Sequence, residues 1–268
     1  MPTDLLLLLS GVAAGAFGAL LGLGGGILIV PILTLGFGLP LGAAVGTSLV
    51  SVIATSTGAA AVNVRAGRAD VRLGLTLGTG TVVGALTGGI VAGFLPERVL
   101  AGSFAVLLVY TALTMLRGMR ARGDEEATET VDPAVPDGPE APAYRSRRVP
   151  LAIGGAFLAG NVSGLLGIGG GVVTVPLVHL LMGAPIRIAV TTSNYMIGIT
   201  AAAGAYTYLF RGDLDPRQAA PIVLGVAGGA ALGALTGTRL RASWLIVLFV
   251  VVLGYVAFEM AMRALAPA

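Results

Sequence analysis

The residues predict an all-α polytopic membrane protein built from two repeated halves. Three observations carry that reading. Of 268 residues, 56% are hydrophobic and only 11% charged, where soluble domains run at roughly 25% charged, and the mean hydropathy is +0.93. Several stretches reach the length of about 20 apolar residues that a membrane helix needs. A long series of residues also recurs at one constant spacing.

That spacing is 145 residues. Leu21-Gly22-Leu23-Gly24-Gly25-Gly26 reappears as Leu166-Gly167-Ile168-Gly169-Gly170-Gly171. The same offset carries Pro31 onto Pro176, Pro40 onto Pro185, Thr47-Ser48 onto Thr192-Ser193, Gly67 onto Gly212 and Asp70 onto Asp215. It then carries Gly80, Gly84 and Gly88 onto Gly225, Gly229 and Gly233, and Tyr110 onto Tyr255. One register held without a gap over this length marks a duplication.

Each half reads as an opening stretch followed by three spans. The spans are 41–63, 73–95 and 99–116, then 187–210, 219–240 and 244–262. The opening stretches, 5–38 and 150–182, are too long for one crossing. A helix of that length measures about 51 Å, against a hydrocarbon core of about 30 Å. Each is interrupted by a triple-glycine run, with a proline five residues later. Glycine weakens a helix, and proline is best tolerated near a helix start. Each opening stretch is therefore expected to be two helical arms meeting at a glycine break. The start, Met1-Pro2-Thr3-Asp4 followed by leucines, lacks the basic region of a cleavable signal peptide and reads as the first membrane segment.

The chain divides into a first transmembrane repeat at 1–116, a polar linker at 117–149 and a second repeat at 150–268. The linker holds Asp124-Glu125-Glu126, Asp132-Pro133 and Pro136-Asp137-Gly138-Pro139, a composition that cannot bury a core. If the broken arms fold back, the halves are inverted; if they cross once, the halves are parallel. Arginine counts do not separate the two. The inverted arrangement leaves Arg98, Arg211, Arg217 and Arg263 on the minority side, and the parallel one leaves Arg98, Arg187, Arg239 and Arg241. Both put the linker in the cytoplasm of a multi-pass plasma-membrane protein. Inversion is preferred because it avoids an overlong helix.

Composition also excludes functions. There is no cysteine, and all sixteen basic residues are arginine, which removes thiolate chemistry, a Walker A lysine and lysine Schiff bases. The pI near 9.7 reflects arginines in short loops between apolar stretches, so it points to membrane orientation and not to nucleic acid. No metal-ligand set, Ser-His-Asp arrangement or cofactor motif can be assembled. His179, the single histidine, faces Thr34 across the repeat, and a bonded packing role fits it better than proton relay.

The candidate substrate-binding residues lie at the breaks and just beyond them. They are Gly24, Gly25, Gly26, Thr47 and Ser48 in the first half, and Gly169, Gly170, Gly171, Thr192, Ser193 and Asn194 in the second. Broken helices at matching places in two repeats point to a transporter's binding site, where free backbone N–H groups suit an anion. Hydroxyls and the Asn194 amide add neutral hydrogen bonds; the competing reading is intrahelical bonding of those hydroxyls. Asn161 and Ser163, just before the second break, are weaker candidates of the same type. Asp70 and Asp215 read as helix caps, and the Gly80-Gly84-Gly88 and Gly225-Gly229-Gly233 rows as packing seams.

These residues resemble the sulfite exporter TauE/SafE family. The match rests on Gly22 to Pro31, Gly46-Thr47-Ser48 and Gly67 to Asp70, and again on Gly167 to Pro176, Thr192-Ser193 and Gly212 to Asp215. Thr191 stands where the second Gly-Thr-Ser would have glycine. The resemblance implies a secondary transporter of sulfite or a related small inorganic or organosulfur anion, working by alternating access at a midplane site. It implies no enzyme and no cofactor; the partners are the anion and the lipid bilayer, and a homo-oligomer is compatible. A small-anion channel is the alternative, with a membrane-embedded enzyme or scaffold behind it. Export could be driven electrically, since one charge crossing 100 mV is worth about 2.3 kcal/mol.

Overall fold

The computed structural model describes residues 2–20, 26–65, 70–125, 149–184, 186–236 and 242–265. The described residues are helical apart from short turns. The helices are α1 (Pro2–Leu20), α2 (Gly26–Pro31), α3 (Leu41–Arg65), α4 (Val71–Ala92), α5 (Glu97–Glu125), α6 (Val149–Leu166), α7 (Gly171–Pro176), α8 (Ile186–Arg211), α9 (Pro216–Thr236) and α10 (Ala242–Leu265). Among the described residues, five stretches are long and apolar enough to cross a membrane: Leu41–Gly58, Val71–Ala92, Glu97–Arg117, Val149–Leu166 and Val247–Leu265. At 26 and 21 residues, α8 and α9 have comparable length, but Thr191 to Asn194 in α8 and Arg217-Gln218 in α9 dilute their apolar character. Much of the outward surface is apolar, with Leu9, Leu151, Leu158, Phe210 and Leu224 each more than half exposed, as suits hydrocarbon surroundings.

The opening stretch of the second half breaks as expected. α6 ends at Leu166, Gly167 to Gly170 leave the helix, and α7 begins at Gly171. In the first half α1 ends at Leu20 and α2 begins at Gly26, with 21–25 outside the described residues. Both short arms then widen into π-helical turns, Ile32–Gly36 and Leu177–Leu181, directly after Pro31 and Pro176. Proline has no N–H to give the carbonyl one turn back, and a π-turn is one way the helix absorbs that loss. The arm after the second break folds back along α6. Gly155 faces the Leu177 side chain, and Ala152 and Ala156 share a core cluster with Val178 and Met182.

The chain forms two compact units. The first comprises residues 1–95 and 143–238, and the second 96–142 and 239–268. Within the first, α4 lies against α6 along a glycine seam. A Cβ at Gly84 would strike the Phe157 carbonyl and one at Gly88 the Asn161 carbonyl, while Gly160 meets Thr81 and Gly164 meets Ala85. Numbers rise together on both helices, so the pair is parallel. α1 and α9 form a second parallel seam, with Gly225 on Leu8, Gly229 on Val12 and Gly233 on Ala16. Such small-residue faces let backbones approach to dispersion contact, which drives helix association in lipid.

α3 and α8 run antiparallel. Gly46 lies opposite Tyr208, Gly204 opposite Leu49 and Gly198 opposite Ser56, so numbers rise on one helix as they fall on the other. α4 runs parallel to α8, joined by Gly74 against the Tyr195 ring and by a Thr200 to Thr81 hydroxyl bond of 2.7 Å.

In the second unit α5 and α10 pack together. Leu100, Phe104, Leu108 and Thr111 bury one stripe of α5, and Phe249, Leu253, Val256 and Met260 one stripe of α10, each at helical spacing. Gly102 lies beside Ala264, near the start of one helix and the end of the other. α5 also runs past the expected end at Leu116 to Glu125. Three of its added residues are arginines, good helix formers even outside an apolar setting.

Candidate functional site

The second break is a run of unusual backbone. Gly167, Gly169 and Gly170 have φ of 74°, 80° and 80°, the left-handed region that costs an L-residue with a side chain roughly 1–2 kcal/mol. Gly167 closes α6 by giving its N–H to the Ser163 carbonyl at 2.8 Å, and the Gly170 carbonyl accepts the N–H groups of Val173 and Thr174 to start α7. Among the described residues, the N–H groups of Ile168, Gly169 and Gly170 find no backbone carbonyl. Consecutive amides in such a turn form a concavity suited to an anion.

The second break and the start of α2 meet at Ser48. Its Oγ lies 2.7 Å from the Gly167 carbonyl and 3.1 Å from that of Gly26, the first residue of α2. A Cβ at Gly26 would lie 3.0 Å from the same Gly167 carbonyl, so no larger residue fits there without movement. Gly169 is held between Val52 of α3 and Ile197 of α8, whose methyls lie 2.6 and 2.8 Å from where its Cβ would be. Neither Val52 nor Ile197 stood out in the sequence, because an aliphatic residue in an apolar helix carries no signal.

The other expected site residues fall around this junction. Gly24 and Gly25 lie outside the described residues. Thr47 is buried on α3, and its carbonyl accepts the Ser51 hydroxyl at 3.0 Å. Gly171 opens α7 against Ile197. Ser193 is fully buried and bonds through its hydroxyl to Thr174 of α7, which in turn donates to the Gly170 carbonyl at 3.1 Å. Thr192 accepts the backbone N–H of Asp70 at 3.0 Å. Asn194 is half-buried. The Ser48 proton is thus committed to a carbonyl, and the hydroxyls of Ser193 and Thr192 are engaged with protein partners.

Two contributors were not foreseen. Thr174 links Ser193 to the break, and its position inside an apolar run gave no hint. Tyr208 of α8 donates its hydroxyl to the Gly164 carbonyl at 2.8 Å, one turn before the break. The Arg211 guanidinium covers the Tyr208 ring at 4.5 Å. It also donates to the Gly89 carbonyl near the end of α4 at 2.6 Å and pairs with Asp213. Its charge is therefore balanced at the end of α8.

Other polar residues serve local structure. Asp70 caps α4, its Oδ1 accepting the Leu73 N–H at 2.9 Å. The Asp215 Oδ1 accepts the Arg217 N–H at 2.9 Å at the start of α9. His179 places Nδ1 2.8 Å from the Ala184 carbonyl, which closes the turn after the π-helix. Asn161 gives its amide to Thr87 at 2.8 Å. Among the described residues no group of histidine, cysteine and carboxylate side chains could hold a metal.

Long apolar helices packed around a glycine break are the architecture of a multi-pass membrane protein. The sequence profile for the sulfite exporter TauE/SafE family matches residues 7–260, and the chain belongs to that family, whose members are membrane transporters and not enzymes. It is similar to the probable membrane transporter protein YunE of Bacillus subtilis (strain 168), 28% identical over 255 residues that cover 92% of this chain and 93% of the relative. It is also similar to the probable membrane transporter protein MJ0441 of Methanocaldococcus jannaschii, 29% identical over 210 residues, 76% of this chain and 72% of that one. A probable membrane transporter protein of Haemophilus influenzae is 28% identical over 280 residues, covering 97% and 98%. No solved structure matches the chain.

Proposed function

We propose that the protein carries sulfite or a related small sulfur-containing oxyanion, by alternating access around the junction of the two breaks. The observation that carries this reading is the Ser48 contact with the Gly26 and Gly167 carbonyls, which brings the start of α2 and the second break to one place. Unwound backbone inside a membrane is tolerated where protein buries it or where it lines a cavity. The site consists of Gly24, Gly25, Gly26, Thr47 and Ser48 with Gly169, Gly170, Gly171, Thr192, Ser193 and Asn194. In it the break amides and the Asn194 amide donate to the anion, while Ser48, Ser193 and Thr192 brace the backbone that presents them.

The same reading includes two inverted repeats, 1–116 and 150–268, joined by a cytoplasmic linker at 117–149. Corresponding helices support it. α3 and α8 start 145 residues apart and run antiparallel, the relation that inversion gives to corresponding helices. The seam contacts also repeat at that offset: Gly84 with Phe157 answers Gly229 with Val12, and Gly88 with Asn161 answers Gly233 with Ala16. The fold-back of the arm after α6 supports the odd number of crossings that inversion needs in the second half.

Purified protein in liposomes tests the transport reading, with sulfite, thiosulfate, sulfate and small sulfonates compared. Saturable flux of a sulfur oxyanion, accelerated by the same anion on the far side, is expected. Conductance far above carrier rates would replace the carrier with a channel, and absence of flux for the whole panel would overturn the reading.

A further inference from the structure

We propose that the Ser163 hydroxyl contacts the transported anion directly, donating its proton to one anion oxygen; this rests on the transport reading above. Ser163 lies on α6 one turn before the second break and is fully buried. Its Oγ is the one buried side-chain polar atom among the described residues that has no hydrogen-bond partner. An unpaired buried hydroxyl is costly, and its persistence asks for a partner that comes and goes.

The local pattern sharpens the point. Serine and threonine inside helices ordinarily donate to a carbonyl one turn back, and here Ser51 and Ser56 do so toward Thr47 and Val52. Ser163 does not take the Ala159 carbonyl. Its side chain instead adjoins the break: a Cβ built on Gly170 would lie 3.3 Å from the Ser163 Cβ, 3.4 Å from the Ala159 carbonyl and 3.7 Å from the Ser163 Oγ. Because Gly170 has no side chain, the left-handed turn can come this close to the hydroxyl. The unpaired amides of Ile168, Gly169 and Gly170 belong to that same turn.

A small oxyanion offers acceptors only, which matches a hydroxyl with a free proton beside free N–H groups. The nearby hydroxyls of Ser48, Ser193 and Thr174 are already engaged. At the 145 offset Gly18 stands opposite Ser163, so the first half supplies no equivalent donor. The contact is one-sided, and it suits one anion at a time.

The test compares wild type with Ser163→Ala and Ser163→Cys as full-length protein, by thermal unfolding with sulfite, methanesulfonate or nitrate and by sulfite uptake into liposomes. Without anion, Ser163→Ala should unfold no lower than wild type, since the hydroxyl holds nothing in place. Anion should raise the unfolding temperature of wild type and hardly that of Ser163→Ala. The KM for sulfite should rise about tenfold or more, the loss expected for a hydrogen bond to a charged group, with Ser163→Cys between the two. Wild-type KM and wild-type anion stabilisation in Ser163→Ala would overturn the proposal. So would failure of every anion to stabilise wild type, or a wild-type KM in Ser163→Cys if the alanine variant does not fold. Stabilisation by nitrate that depends on Ser163, without flux of any sulfur oxyanion, would keep the contact and reject the sulfur reading.

Discussion

Thr192 of α8 accepts the backbone N–H of Asp70, 122 residues away, at 3.0 Å, while the Asp70 carboxylate caps α4. One hydroxyl thereby fixes the start of α4 to the helix that carries Ser193. Thr192→Val keeps the shape and removes the hydroxyl that accepts this part-buried N–H. Its cost should be about 1–3 kcal/mol, read as a lower unfolding temperature, and Thr192→Ser should restore most of it. A valine variant as stable as wild type would show that the bond contributes nothing.

The glycines of the break and those of the seams should respond differently. At Gly170 the left-handed backbone makes Gly170→Val strained by roughly 1–2 kcal/mol, and the new side chain would fill the space beside Ser163. Flux per folded molecule should fall to background while much of the protein still elutes as a monodisperse peak. Normal flux per molecule would reduce the break to a packing feature.

At Gly84 the obstacle is the Phe157 backbone carbonyl, which cannot rotate away. Gly84→Val should part α4 from α6 and abolish recovery of folded protein. Gly228, exposed on α9 with nothing within 4 Å of its Cβ position, should accept alanine with a gain of about 0.5–1 kcal/mol. Size-exclusion recovery and unfolding temperature measure both, and equal recovery of the two variants would contradict the seam.

The places where the chain breaks were readable because glycine and proline act locally. The triple-glycine run of the second half and the Asp70 and Asp215 caps produce the expected backbone features, whereas Pro31 and Pro176 end the short helices and lead into π-helical turns instead of marking helix starts. The partners were not readable. The spacing of Gly80, Gly84 and Gly88 marks a face that admits a close neighbour, but it does not say that α6 supplies it. Ser48 and Ser193 signalled polar contacts at the breaks, yet the carbonyl or hydroxyl that takes each proton depends on distant backbone. Ser163 looked weaker than Ser48 in sequence because an orphaned hydroxyl is visible only once every neighbour is placed.

Topology gives a prediction independent of transport. With inverted repeats, a tag at Gly138 in the linker should be accessible only from the cytoplasm, and tags at both chain ends only from outside. Impermeant labelling of intact cells distinguishes the sides. A cytoplasmic C-terminus would remove the inverted arrangement and leave the family membership untouched.

Selectivity follows from the charge around the junction. The described side chains nearest the breaks are the neutral Ser48, Ser163, Thr174 and Ser193, and Arg211 is already paired with Asp213. Amides and hydroxyls offer hydrogens to an anion but no formal charge, so a cation gains nothing there. The cost of removing an ion from water is of order 20 kcal/mol for a single charge in the idealised case, and it grows with the square of the charge. Neutral donors should therefore favour a singly charged oxyanion over a doubly charged one of similar size. Methanesulfonate should be carried more than about tenfold faster than sulfate at equal concentration and zero membrane potential, a difference of about 1.4 kcal/mol in barrier. Sulfite flux should rise as pH falls and more of it becomes singly charged, while methanesulfonate flux stays level. Sodium and ammonium should not cross at all. Tracer uptake into liposomes at two pH values separates these outcomes, and sulfate flux equal to that of methanesulfonate would mean that a positive charge reaches the site.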